Sequence, residues 1–108
     1  MTLTELIHYF RSGGKYEHFC HEQSLDPESE VIEIYARAPF SLESNLAFFE
    51  IEKTEGRIEY SHDNIKYHNL FDFYFFQDAI EESKGESKRH LDDSEIASKL
   101  LSYAINNA

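Results

Sequence analysis

The chain has 108 residues, the usual length of a single domain, and its 41% hydrophobic content is too high for a disordered protein. Lys and Arg number 10 against 21 Asp and Glu, which gives a net charge of −11. A surface this negative repels phosphate groups, so we expect binding neither to nucleic acid nor to anionic membranes.

The compartment is indicated by redox and targeting signals. The single cysteine, Cys20, excludes an internal disulfide and suits a reducing environment. The first residues lack a basic region followed by an apolar block, so we expect no cleaved secretion signal. No apolar run of about 18 residues is present to span a membrane. These features predict a cytoplasmic protein.

The N-terminal segment has the signals of a helix. Thr2 and Glu5 have the spacing of a capping box, and Gly13-Gly14 is a natural stop. Between them a periodic apolar stripe consists of Leu3, Leu6, Ile7 and Phe10. Residues 15–23 are ambiguous but compatible with a second short helical turn. Residues 24–29, which contain Pro27, form a turn-rich connection.

Three segments alternate in the manner of strands: Glu30–Ala38, Leu46–Lys53 and Arg57–Ser61. Glu55-Gly56 suits a two-residue hairpin between the last two, and this register places Glu52 directly opposite Glu59. Residues 64–68 are compatible with a further short strand.

The C-terminal third predicts two helices. The aromatic stretch 70–76 is compatible with a strand, but Asn69 as a possible N-cap and Gly85 as a stop favour a helix over 70–84. A last helix is expected over 94–105 with Asp92 or Asp93 as its cap. The order predicts an α+β fold in one domain over 1–108. It has a three- or four-stranded antiparallel sheet, with the N-terminal helix and the two C-terminal helices packed on one face.

The sequence contains no motif for a reaction. A Gly-x-Ser-x-Gly elbow and a glycine-rich phosphate loop are both missing, and nearby acids should raise the pKa of the Cys20 thiol. The histidines lack zinc-site spacing. We therefore predict a protein that is not an enzyme and has no cofactor or metal. A small enzyme or metal protein remains an alternative, built on His18, Cys20, His21, His62 and His68.

The predicted strands place one set of apolar residues towards the helices. This set consists of Ile32, Ile34, Phe49, Ile51, Ile58 and Tyr60. The opposite face then carries Glu33, Tyr35, Phe48, Glu50, Glu52 and Glu59. Aromatic anchors within a charged rim are typical of interface centres, so we expect this set to bind a partner. Glu28 and Glu30 are possible contributors at the rim.

The acids are concentrated in the first half of the chain. From Glu17 to Glu52 there are nine acids and one base, Arg37. This acidic window, together with the strand-turn-strand over 46–60, resembles the immunity proteins that protect bacteria from toxins, most closely those of contact-dependent growth inhibition systems. The resemblance transfers no functional residue. It implies a cytoplasmic inhibitor that binds a toxin C-terminal domain, often a nuclease, and blocks its active site or its basic substrate groove.

Our first hypothesis is therefore a non-enzymatic inhibitor of a cationic protein, itself a monomer or weak homodimer. We expect charge reversal at Glu50 and Glu52 to weaken binding while leaving the fold intact. The second hypothesis is a small regulatory or structural homodimer, in which acidity serves solubility and the aromatic helix forms the dimer interface.

Overall fold

A computed structural model describes residues 1–106. In chain order its elements are α1 (Leu3–Arg11), α2 (Tyr16–Glu22), β1 (Ile32–Ala36), β2 (Leu46–Glu50), α3 (Ile51–Thr54), β3 (Glu59–His62), β4 (Ile65–Asp72), α4 (Phe73–Ser83) and α5 (Asp93–Asn106). The α+β class is confirmed, with a four-stranded antiparallel sheet in the order β2-β1-β4-β3.

Side-chain caps fix where the helices begin. The predicted capping box of α1 is present, because the Thr2 hydroxyl accepts from the amide of Glu5 while the Glu5 carboxylate accepts from the amide of Thr2. Asp92 caps α5 by accepting from the amide of Glu95.

The start of α4 differs from the prediction over 70–84. Residues 70–72 complete β4, and the cap is Asp72, whose carboxylate accepts from the amide of Phe75, rather than Asn69. The aromatic stretch is thus a strand for its first three residues and a helix afterwards. Aromatic residues occur on both sides of the boundary between β4 and α4, so aromatic density did not mark it.

The predicted hairpin between β2 and β3 is wrong. These two strands lie at opposite edges of the sheet, and residues 51–54 form α3 instead of extending β2. Glu55, in the left-handed region at φ 56°, and Gly56, at φ 72°, reverse the chain after this helical turn. Glu52 and Glu59 are therefore not cross-strand neighbours.

Both faces of the sheet are covered, and several side chains lie on the face opposite to the predicted one. Ile32 and Ile34 point to the helices as predicted, but Phe48 joins them there, with its ring 5.0 Å from that of Phe19. Phe49 lies on the other face beside Tyr60, at 4.9 Å. Phe49 belongs to β2 and Tyr60 to β3, which are the two edge strands, so the sheet must curl to bring them together. The two rings form a second, smaller aromatic cluster on this face. Ile58, expected inside, is 71% exposed.

The main core lies between the helices and the sheet. Leu6, Ile7 and Phe10 of α1 are buried there with Phe73 and Phe76 of α4, and α5 adds the apolar residues Ile96, Ala97, Leu100 and Ala104. None of the helices within residues 1–106 is long and apolar enough to cross a bilayer.

Gly14 makes the close approach between α1 and the following turn possible. A Cβ at this position would overlap the ring and the carbonyl oxygen of Tyr9, while the Gly14 amide donates to that carbonyl at 2.9 Å. We predict that Gly14→Ala lowers the free energy of unfolding by about 1–3 kcal/mol, because the tightly packed turn must shift. Urea unfolding measures this as a lower midpoint with an unchanged slope.

Gly85→Ala is the matched control. Its new Cβ would lie 3.3 Å from the carbonyl oxygen of Glu82, and the residue does not adopt a positive φ. An unfolding midpoint for Gly14→Ala equal to that of Gly85→Ala would contradict the proposed overlap with Tyr9.

Candidate interaction surface

The predicted binding set does not share one exposed sheet face. Glu33 is only 7% exposed and Tyr35 is fully buried, because α3 and the segment after it cover this side of β1. The Glu33 carboxylate accepts hydrogen bonds from the Thr54 hydroxyl and from the side-chain amide of Asn69. The Tyr35 hydroxyl donates to the carbonyl oxygen of Arg57 at 2.5 Å. These two side chains therefore hold the fold together and cannot form an exposed surface.

Two further members of the set lie away from the others. Phe48 faces the helices, as described above, and is half-buried. Glu59 is exposed at the far edge of the sheet, where its carboxylate lies 3.5 Å from Lys66 and 3.3 Å from His68. Glu59 pairs with His68 of β4, which in turn pairs with Ala36 at the C-terminal end of β1. Glu50 pairs with Ile32, at the N-terminal end of β1.

The remaining members, Glu50 and Glu52, hold the loop that connects α2 to β1. A carboxylate oxygen of Glu50 accepts from the amide of Asp26 at 2.9 Å. The Glu52 carboxylate accepts from the Ser29 hydroxyl at 2.5 Å and from the amide of Glu30 at 3.0 Å. Hydrogen bonds to a charged acceptor are stronger than neutral ones, so both ends of the loop are fixed against the sheet.

This arrangement brings much of the acidic window together. We use the name "acidic end" for Glu17, Asp26, Glu28, Glu30, Glu50 and Glu52. Three of them, Asp26, Glu50 and Glu17, lie close enough to the buried Cys20 thiol to act on its pKa. The pKa of this thiol is raised mainly by burial, and the negative charges of these three acids raise it further. The expectation that neighbouring acids raise this pKa is confirmed.

The acids differ in how far the chain neutralises them. Outside the acidic end, Asp93 binds Arg11 at 3.0 Å and Glu82 binds Lys88 at 2.6 Å. Within it, Glu50 lies 3.0 Å from Lys53. The side chains of Glu17, Glu28 and Glu30 take part in no hydrogen bond or ion pair among residues 1–106. These three exposed carboxylates are thus left to solvent or to a partner.

Tyr74 is an exposed residue that the sequence reasoning missed. Its side chain is 61% exposed, and its hydroxyl donates to the carbonyl oxygen of Glu30 at 2.7 Å. The helical spacing of the buried residues Phe73, Phe76 and Ile80 was the signal that could have placed Tyr74 on the outer side of α4.

The histidine and cysteine residues do not converge. His18 lies 2.6 Å from Glu22 within α2, and His62 lies 3.3 Å from Asp63 in the turn after β3. Among residues 1–106 no group of three or more His, Cys, Asp or Glu side chains is placed to hold a metal ion.

Comparison with protein-family models, with curated proteins and with solved structures finds no match to this chain. The resemblance to immunity proteins therefore stays a prediction.

Glu33 tests whether the buried polar cluster supports the fold. We predict that Glu33→Ala lowers the free energy of unfolding by at least about 2 kcal/mol, since buried donors on Thr54 and Asn69 lose their acceptor. Glu59→Ala, which removes an exposed carboxylate, should change it by less than about 0.5 kcal/mol. Urea unfolding compares the two, and equal losses would contradict a structural role for Glu33.

The loop contacts predict a dependence of stability on pH. The pKa of Glu50 is lowered by the Lys53 ammonium and then by the Asp26 amide, and that of Glu52 is lowered by the Ser29 hydroxyl and then by the Glu30 amide. Because these folded-state values lie below the ordinary value of 4.5, the two carboxylates stabilise the fold above that pH. The contribution is lost as the pH falls through their lowered values.

Unfolding by urea across a pH series measures this effect. We predict that the double variant Glu50→Gln, Glu52→Gln loses less stability on acidification than the unaltered chain. The control pair Glu43→Gln, Glu86→Gln removes two exposed carboxylates without side-chain partners and should keep the original pH dependence. The same loss of stability on acidification in both double variants would contradict the contribution assigned to Glu50 and Glu52.

Proposed function

We propose that the protein is a non-enzymatic inhibitor that binds a cationic protein through the acidic end, in the manner of a cytoplasmic toxin-immunity protein. The observation that carries the proposal is that Glu28 and Glu30 lie on the fixed loop, exposed and without an internal cation, while Glu17 is likewise exposed and unpaired on the adjoining helix α2. A nuclease domain is a suitable target, because its substrate groove is positive in order to bind a polyanion.

The electrostatics favour rapid association. Opposite charges gathered on two surfaces steer encounter and raise the association rate, and salt screens this attraction. Acids spread evenly over the surface would give solubility without such steering. Two unpaired carboxylates, those of Glu28 and Glu30, lie two residues apart in the loop, and this supports binding rather than solubility alone.

The local structure supports a surface that is formed before binding. Glu50 and Glu52 fix the loop backbone, and the Ile51 amide donates to the Val31 carbonyl oxygen at 3.0 Å beside it. A preformed loop loses little conformational entropy when it binds. This also revises the role expected for Glu50 and Glu52: their reversal would disturb the loop, so it cannot test contact with a partner by itself.

The alternative homodimer has less support from the aromatic helix. Phe73 and Phe76 of α4 are buried in the main core, and Phe75 stacks on Tyr103 at 4.4 Å between ring centroids. Tyr74 is the aromatic side chain of α4 that remains exposed.

Affinity capture with matched variants tests the proposal. Glu17→Lys, Glu28→Lys and Glu30→Lys together reverse the acidic end without touching the contacts of Glu50 or Glu52. We predict that the unaltered chain retains a cationic protein from lysate of the source cells and that this triple variant loses it. Raising the salt from about 0.1 M to about 1 M, which shortens the screening length from about 10 Å to about 3 Å, should also release it.

The control is a triple variant with the same change in net charge elsewhere: Glu43→Lys, Asp78→Lys and Glu86→Lys, all exposed and without side-chain partners. It should retain the partner. Co-expression then tests inhibition, because growth arrest caused by the captured protein should be relieved by the unaltered chain and by the control. Equal loss of the partner in both triple variants, or a captured protein without toxicity, would overturn the proposal.

A further inference from the structure

A cleft adjoins the acidic end where α2, the loop before β1 and α4 meet. Its volume is about 240 Å³, and its lining includes Tyr16, Glu30, Val31, Tyr74 and Gln77. Sites for small organic ligands usually measure about 300–1,000 Å³, so this cleft suits one protruding side chain better than a whole metabolite.

An aromatic residue, Tyr74, and an acidic residue, Glu30, both line the cleft. Tyr74 is exposed, yet its hydroxyl is bound to the carbonyl oxygen of Glu30, which fixes the ring beside the loop. The Glu30 carboxylate has no partner among the described residues. The Gln77 side chain adds an uncharged amide to the lining, and no Lys or Arg belongs to it.

We propose that this cleft binds an arginine side chain of the cationic partner; the assignment rests on the function proposed above. A guanidinium group is planar, stacks on aromatic rings and donates two hydrogen bonds to one carboxylate. Tyr74 supplies the ring and Glu30 supplies the carboxylate. Glu17 and Glu28 of the acidic end contribute the surrounding negative potential.

Arginine fits better than the other classes of side chain. An apolar side chain would leave the Glu30 carboxylate beside an uncharged group, and an acidic one would be repelled by it. Lysine would satisfy the charge but has no planar group to stack on Tyr74 and cannot form the paired hydrogen bonds.

Small probes test the cleft without the partner. N-acetyl-arginine amide, N-acetyl-lysine amide and N-acetyl-citrulline amide are titrated into the isotope-labelled chain while backbone amide resonances are followed. We expect saturable shifts with the arginine probe at Glu30, Val31, Tyr74 and Gln77. Citrulline has nearly the same shape without the charge and should produce none. Equal responses to arginine and citrulline, or arginine shifts located elsewhere, would overturn the proposal.

Two substitutions at Tyr74 separate the ring from its hydroxyl. Because the side chain is exposed, neither Tyr74→Leu nor Tyr74→Phe should disturb the core. We expect Tyr74→Leu to weaken binding of the arginine probe about fivefold, the size of an ordinary cation–π contact, and Tyr74→Phe to retain most of it. Equal affinities for Tyr74→Leu and the unaltered chain would contradict stacking.

The same variants distinguish this inference from the proposed function. Loss of the captured partner by the acidic-end triple variant, with full retention by Tyr74→Leu, would leave the inhibitor proposal standing and overturn the cleft. Arginine binding in the cleft without any captured cationic protein would support the cleft as a guanidinium site and overturn the inhibitor proposal.

Discussion

The contact on which the surface depends is the binding of loop amides by two carboxylates, that of Glu50 at the end of β2 and that of Glu52 in α3. Glu50 and Glu52 accept from the amides of Asp26 and Glu30, at two points of the loop that leads into β1. Holding an acidic loop with further acids brings like charges together. Charge-assisted hydrogen bonds to the backbone, and the ammonium of Lys53 beside Glu50, offset this repulsion.

This contact divides the acids of the first half of the chain into those that support structure and those that remain free. Glu33 accepts hydrogen bonds within a buried polar cluster, and Glu50 and Glu52 bind the loop. Glu28 and Glu30 are left exposed on the loop that Glu50 and Glu52 hold, and Glu17 is exposed on α2. The proposed inhibitor function uses the second group, and its specificity would come from the neighbouring cleft beside Tyr74.

Local signals were sufficient to predict much of the fold. The capping box at Thr2 and Glu5, the apolar stripe of α1 and the cap at Asp92 depend on neighbouring residues, and all are present in the structure. The α+β class followed from the order of elements. Pairing of β2 with β1, rather than with β3, depends on contacts distant in sequence, and a plausible turn at Glu55-Gly56 suggested the wrong partner. The site was harder to predict, because alternation in β1 identifies an exposed face only when one face is solvated. In this protein α3 covers the face of β1 that was expected to be exposed, so Glu33 and Tyr35 are buried.

Amide hydrogen exchange at Asp26 and Glu30 in the isolated chain tests the central claim most directly, because each amide depends on one carboxylate. We expect both amides to exchange far more slowly than in an unstructured peptide. Asp26 should lose its protection in Glu50→Ala and Glu30 in Glu52→Ala, while α1 stays protected in both variants. Exchange of these two amides at the unstructured rate in the unaltered chain, or protection that survives removal of its carboxylate, would contradict the claim that the acidic end is a preformed surface.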